Sequence, residues 1–78
     1  MTELKKIDRI EMGQKIRILR KKKNWTQLDL ANETGLGITS IREIEKGIRN
    51  PTIVTINCIS AILGVEPQEL FTVIPIEI

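Results

Sequence analysis

Arg42 and Glu43 sit in the short segment ITSIREIEK, with Thr39 one helical turn before them and Lys46 one turn after. Together they offer a planar donor fork, a carboxylate acceptor, a hydroxyl and a cation. At i, i+4 spacing, Ile38, Thr39, Arg42, Glu43 and Lys46 share one face of a helix, while Ile41 and Ile44 point to the other. This is chemistry of recognition rather than of bond making. The chain has no His and a single Cys, and its acids are scattered. No Gly-rich phosphate loop or metal-ligand spacing occurs, so neither an enzyme nor a cofactor or metal centre is expected.

The charge distribution sharpens that reading. The overall charge is only +2. All twelve Lys and Arg fall in residues 1–50 beside seven acids, and residues 51–78 hold only Glu66, Glu69 and Glu77. A basic first part suits phosphates, and an acidic, apolar last part suits protein contacts.

The elements that must position these side chains are read from caps and spacing. Asp8 caps a first helix running to about Lys23, with Met12, Ile16 and Leu19 as its buried stripe. The Arg20–Lys23 run also suits the negative end of that helix's dipole. Asn24 makes a turn. Trp25 precedes the N-cap Thr26 as a hydrophobic staple, and Asp29 completes a capping box. The second helix spans Gln27 to Thr34 and buries Leu30 and Ala31; Gly35 supplies positive φ in the turn. The third helix runs from Ile38 to Lys46 behind a Gly37 cap and ends at Gly47. Thr52 caps a fourth helix over Ile53–Leu63, with Ile56, Ile59 and Leu63 inward and Gly64 as its stop. Glu66–Phe71 reads as a short fifth helix with Pro67 in its first turn, Phe71 closing the core.

Taken in order, MGQKIRILRKKKNWTQLDLA, TGLG, SIREIEKG, RNPT and LGVEPQELF resemble the helix-turn-helix of phage-repressor and Cro-type regulators, the xenobiotic-response-element family. The resemblance spans residues 12–71 and implies an all-α, five-helix repressor-like domain that binds double-stranded DNA. In size the chain resembles controllers of restriction–modification systems. The resemblance implies that Ile38, Thr39, Arg42 and Glu43 read base edges in the major groove. Arg42 can bind guanine bidentately, Thr39 can meet a base, a phosphate or a thymine methyl, and Glu43 can accept from cytosine or orient Arg42. Ile38 departs from relatives with Gln there and offers only apolar contact. Gln27, Lys46, Arg49 and Lys22 are the implied phosphate contacts, and Arg20 with Glu45 an ion pair joining the first helix to the third. Leu28 occupies a position where relatives more often carry an acid.

The 78 residues make one domain, with a mobile 1–6, a family-like core over 12–71 and an extended tail over 72–78. With 41% apolar but only 3% aromatic residues, the core must be aliphatic. A chain this short buries only about 60% of its unfolded surface. A homodimer on a palindromic site is therefore expected, with Cys58, Val73, Ile74, Ile76 and Ile78 as interface candidates. The β-branched tail TVIPIEI, broken by Pro75, is expected to lie against a partner subunit as an added strand. One Cys, no signal peptide and no membrane-length apolar run point to a reducing cytoplasm. No small-molecule ligand is indicated. The competing class is a protein-interaction module, an antitoxin or adaptor on the same scaffold.

Overall fold

The computed structural model describes residues 4–70 and 73–76, the segments 4–7 and 73–76 by backbone alone. In chain order these form β1 (Leu4–Ile7), α1 (Arg9–Lys22), α2 (Gln27–Thr34), α3 (Ile38–Lys46), α4 (Ile53–Leu63), a 3-10 turn (Pro67–Glu69) and β2 (Val73–Ile76).

Helix boundaries follow the local chemistry. The Asp8 carboxylate accepts from the N–H groups of Ile10 and Glu11, starting α1. Thr26 Oγ1 accepts from Asp29 N–H at 3.0 Å while Asp29 accepts from Thr26 N–H at 2.8 Å, a complete capping box for α2. Gly35 closes α2 at φ 75°, its N–H on the Ala31 carbonyl. Gly37 precedes α3 without a side-chain cap, and Thr52 caps α4 through Thr55 N–H. Asn24 takes φ 59°, a left-handed position that Asn tolerates in turns.

The expected fifth helix is instead a three-residue 3-10 turn. Glu69 and Leu70 donate to Glu66 and Pro67 three residues back, and the Glu66–Glu69 capping box saturates the turn's start. The β-branched, proline-containing TVIP that follows gives no residues to extend it. Leu70 is nonetheless fully buried. Phe71 lies outside the described residues.

The tail is extended over Val73–Ile76, but its pairing partner lies in the same chain. β2 runs antiparallel to β1, with Leu4 opposite Ile76 and Ile7 opposite Val73. Leu4–Lys6, expected to be mobile, are thus part of a strand. Pro75 faces Lys5 in a ribbon whose strands are both edges, where a ladder tolerates proline. Thr72 and Ile78 lie outside the described residues.

The core is aliphatic: Met12, Ile16, Leu30, Ala31, Ile41, Ile44, Ile56, Ile59, Leu63 and Leu70 are buried together. Leu19, Trp25, Leu36 and Ile38 pack against its rim. α3 packs against both α1 and α2, and α4 packs against α2 and the 3-10 turn.

Gly13 decides how near α1 and α3 come. A Cβ there would stand 2.4 Å from the Ile44 carbonyl oxygen and 2.6 Å from that of Glu45. Both are backbone atoms of α3, so no side chain can swing away. In an isolated helix, Ala in place of Gly would gain about 1 kcal/mol. Here overpacking, worth about 1–3 kcal/mol, opposes that gain and displaces α3. Gly13→Ala is therefore expected to lower the melting temperature measured by circular dichroism. A roughly 1 kcal/mol net loss corresponds to about 4–8 °C in a domain of this size. A raised melting temperature would show that α1 and α3 are less closely apposed than described.

Candidate nucleic-acid interface

Three helix ends meet on one side of the molecule. The C-terminal part of α1, the start of α2 and the end of α3 enclose an open cleft lined by Arg17, Arg20, Lys21, Asn24, Trp25, Thr26, Gln27, Glu45 and Lys46. Its cations outnumber its one carboxylate, and the positive end of the α2 dipole opens onto it.

At the back of the cleft Arg20 and Glu45 form a two-point pair. Arg20 Nε donates to Glu45 Oε2 at 2.7 Å and Nη2 to Oε1 at 3.0 Å, with side-chain exposures of 8% and 3%. Arg20 Nη1 donates to the Trp25 carbonyl at 2.7 Å, tying the turn before α2 to the same guanidinium. Gln27 Nε2 donates to Glu45 Oε1 at 3.2 Å. One network therefore joins α1, the α2 entry and α3. Trp25 is half-buried against the core cluster that includes Leu30, and Lys23 Nζ lies 5.2 Å from the centroid of its ring.

Beside the cleft runs the outer face of α3. Thr39 and Arg42 are exposed, and among the described residues Arg42 has no ion-pair partner. Ile38 is half-buried on the rim of the core, so only part of its side chain faces outward. Glu43 pairs with Arg49, whose Nη2 lies 3.2 Å from Glu43 Oε1, and no bond from Glu43 to Arg42 occurs among the described residues. Lys46 is exposed at the cleft edge. Lys22 is exposed but does not line the cleft.

The remaining candidates lie elsewhere. Cys58 on α4 is half-buried, and its thiol donates to the Thr34 carbonyl at 3.5 Å, a contact within the chain. Val73, Ile74 and Ile76 form β2, and Ile78 is outside the described residues. The exposed side of α4 is apolar at Ile53 and Val54, which are 62% and 78% exposed.

Sequence reasoning missed Arg17, Lys21 and Ser40. Arg17 and Lys21 are four apart on α1 with Arg20 between them, a shared face that helical spacing makes visible. Ser40 carried no such signal, because its partner Arg49 comes from the following loop.

A helix-turn-helix domain profile matches residues 13–74. The chain belongs to that family of DNA-binding transcriptional regulators. Among helix-turn-helix proteins it is similar to the control protein C.BamHI of Bacillus amyloliquefaciens, 45% identical over 63 residues that cover 80% of this chain and 78% of that one. It also resembles the restriction-modification controller C.AhdI of Aeromonas hydrophila, with a TM-score of 0.78 and 38% identity over 82% of this chain and 97% of that chain. SinR of Bacillus subtilis, the master regulator for biofilm formation, aligns in a structure with DNA at a TM-score of 0.72 and 32% identity. That match covers 76% of this chain and 95% of the chain in that structure. Among the described residues no helix is long and apolar enough to cross a membrane.

The buried pair should behave as a structural fastener for the helix-turn-helix. Arg20→Ala leaves Glu45 charged, buried and unpaired, at a cost of about 3–5 kcal/mol. Replacing both partners by apolar residues, Arg20→Met with Glu45→Leu, is expected to cost far less. Chemical denaturation of the two variants checks this; equal losses would mean that the pair is not the fastener.

Proposed function

We propose that this chain is a sequence-specific, homodimeric transcriptional regulator that reads a palindromic or partly palindromic operator through α3. The observation that carries the reading is the placement of exposed Arg42 and Thr39 beside the basic cleft at the α2 N-terminus. A helix entering the major groove with its first residues on base edges would bring that cleft against the adjoining phosphate backbone.

In this reading Arg42 is the principal base reader, through guanine O6 and N7. Thr39 and the outward part of Ile38 make smaller contacts, Ile38 with a thymine methyl. Glu43 supplies an acceptor. Gln27 at the start of α2 and Lys46 at the cleft edge hold the backbone, with Arg17 and Lys21 added from α1. Lys22 and Arg49 do not line the cleft, and Lys22 contributes mainly to the surrounding field.

Two copies related by a twofold axis would present their recognition helices about 34 Å apart, one turn of duplex. The surface remaining for that contact is the acidic, apolar part of the chain, including the exposed side of α4. The likeness to C.BamHI and C.AhdI favours a controller of restriction–modification genes within the bacterial cytoplasm, acting through its own concentration and dimerisation. Sedimentation equilibrium at micromolar concentration is expected to give twice the monomer mass.

The roles separate experimentally. Selection from a randomised duplex pool, followed by fluorescence anisotropy on the selected site, gives the reference affinity. Arg42→Ala is expected to cost about 1–3 kcal/mol on the selected site and to relax preference at one base position. Gln27→Ala should weaken specific and random duplexes alike, because phosphate contacts carry no sequence information. Identical behaviour of the two variants would overturn the assignment, and failure to select any duplex would overturn the function.

A further inference from the structure

Glu43 and Arg49 have separate roles when each is considered alone, one at a base and one at a phosphate. The fold joins them. Gly47 ends α3 in the left-handed conformation, and the chain doubles back so that the N–H groups of Ile48 and Arg49 donate to the Glu43 carbonyl at 3.0 and 3.4 Å. The Arg49 side chain then lies along the flank of α3. Its Nη1 donates to Ser40 Oγ at 2.7 Å and its Nη2 meets Glu43 Oε1 at 3.2 Å. Ser40 and Glu43 are one turn apart, so a single guanidinium spans both.

This clamp has little to do with folding. The Arg49 and Glu43 side chains are 48% and 36% exposed, and an exposed pair of this kind contributes little to stability. Its setting gives it another use. A bare carboxylate on the recognition helix would be driven between two phosphate backbones and stripped of water, and like-charge repulsion grows as water leaves. A guanidinium already seated on Oε1 cancels that charge and leaves Oε2 to accept a hydrogen bond. In the major groove the donors that fit such an acceptor are cytosine N4–H and adenine N6–H.

The geometry points to Arg49 as a specificity-positioning residue that acts through Glu43, rather than as an independent phosphate contact. It neutralises the carboxylate and holds it, with Ser40, at a fixed place on α3. This inference rests on the DNA-reading role of α3 proposed above.

A double-mutant cycle tests it. Wild type, Arg49→Ala, Glu43→Gln and the double variant are titrated against the selected duplex at several salt concentrations, and each is put through the same selection. Both side chains are half-exposed, so all four proteins are expected to keep the wild-type melting temperature. Arg49→Ala alone should lower affinity about tenfold and change the preferred base at one position. In the Glu43→Gln background the same change should cost less than about threefold, the difference being the coupling between the two residues. An equal loss in both backgrounds, with the salt slope reduced by about one, would overturn the inference and make Arg49 a phosphate clamp. Absence of any selected duplex for the wild type would instead remove the DNA-reading role itself, and this inference with it.

Discussion

The buried pair between Arg20 and Glu45 is the contact on which the arrangement of the three N-terminal helices depends. Burying two charges is costly, and the cost is offset only when the geometry is good and each buried polar atom finds a partner. Here Nε and Nη2 serve the carboxylate and Nη1 takes the Trp25 carbonyl, while Gln27 completes Glu45. No buried side-chain polar atom among the described residues is left without a partner. The pair does more than join α1 to α3. It also holds the entry of α2, so α2 and α3 share one anchor.

Around that anchor the packing is simple. An aliphatic core cannot use the directional preferences of aromatic rings, so helix orientation must come from other devices. Gly13 sets the separation of α1 and α3 by lacking a Cβ, and the left-handed Gly35 sets the turn between α2 and α3. The ion pair then fixes rotation about that contact. Each device constrains one degree of freedom that Ile, Leu and Val side chains leave open.

The same economy governs the outer face of α3. Arg42 has no ion-pair partner among the described residues and stays exposed, whereas Glu43 is already engaged. A positive side chain meets a polyanion favourably without help, but a negative one does not. Under the proposed DNA-reading role of α3, that asymmetry gives a physical reason for a loop that turns back on its helix after Gly47.

Most of the helical architecture was legible in the residues themselves. Asp8, Thr26 and Thr52 start helices, and Gly35, Gly47 and Gly64 end them, through hydrogen bonds that reach no more than four residues. Apolar spacing then identified the buried faces of α1, α3 and α4. The fifth helix was misread because Glu66–Phe71 has a helix start but no room to propagate before TVIP. What the sequence could not supply is which residues meet across the fold. Arg20 and Glu45 are 25 residues apart and Gln27 and Glu45 18 apart; family resemblance suggested the first meeting, and nothing suggested the second. The partnership of Arg49 with Ser40 and Glu43, the close approach at Gly13 and the pairing of Leu4–Ile7 with Val73–Ile76 were likewise decided only by tertiary structure. The reason is one of range: a cap or a glycine acts on its own turn, whereas these contacts exist only after packing has brought separate turns together.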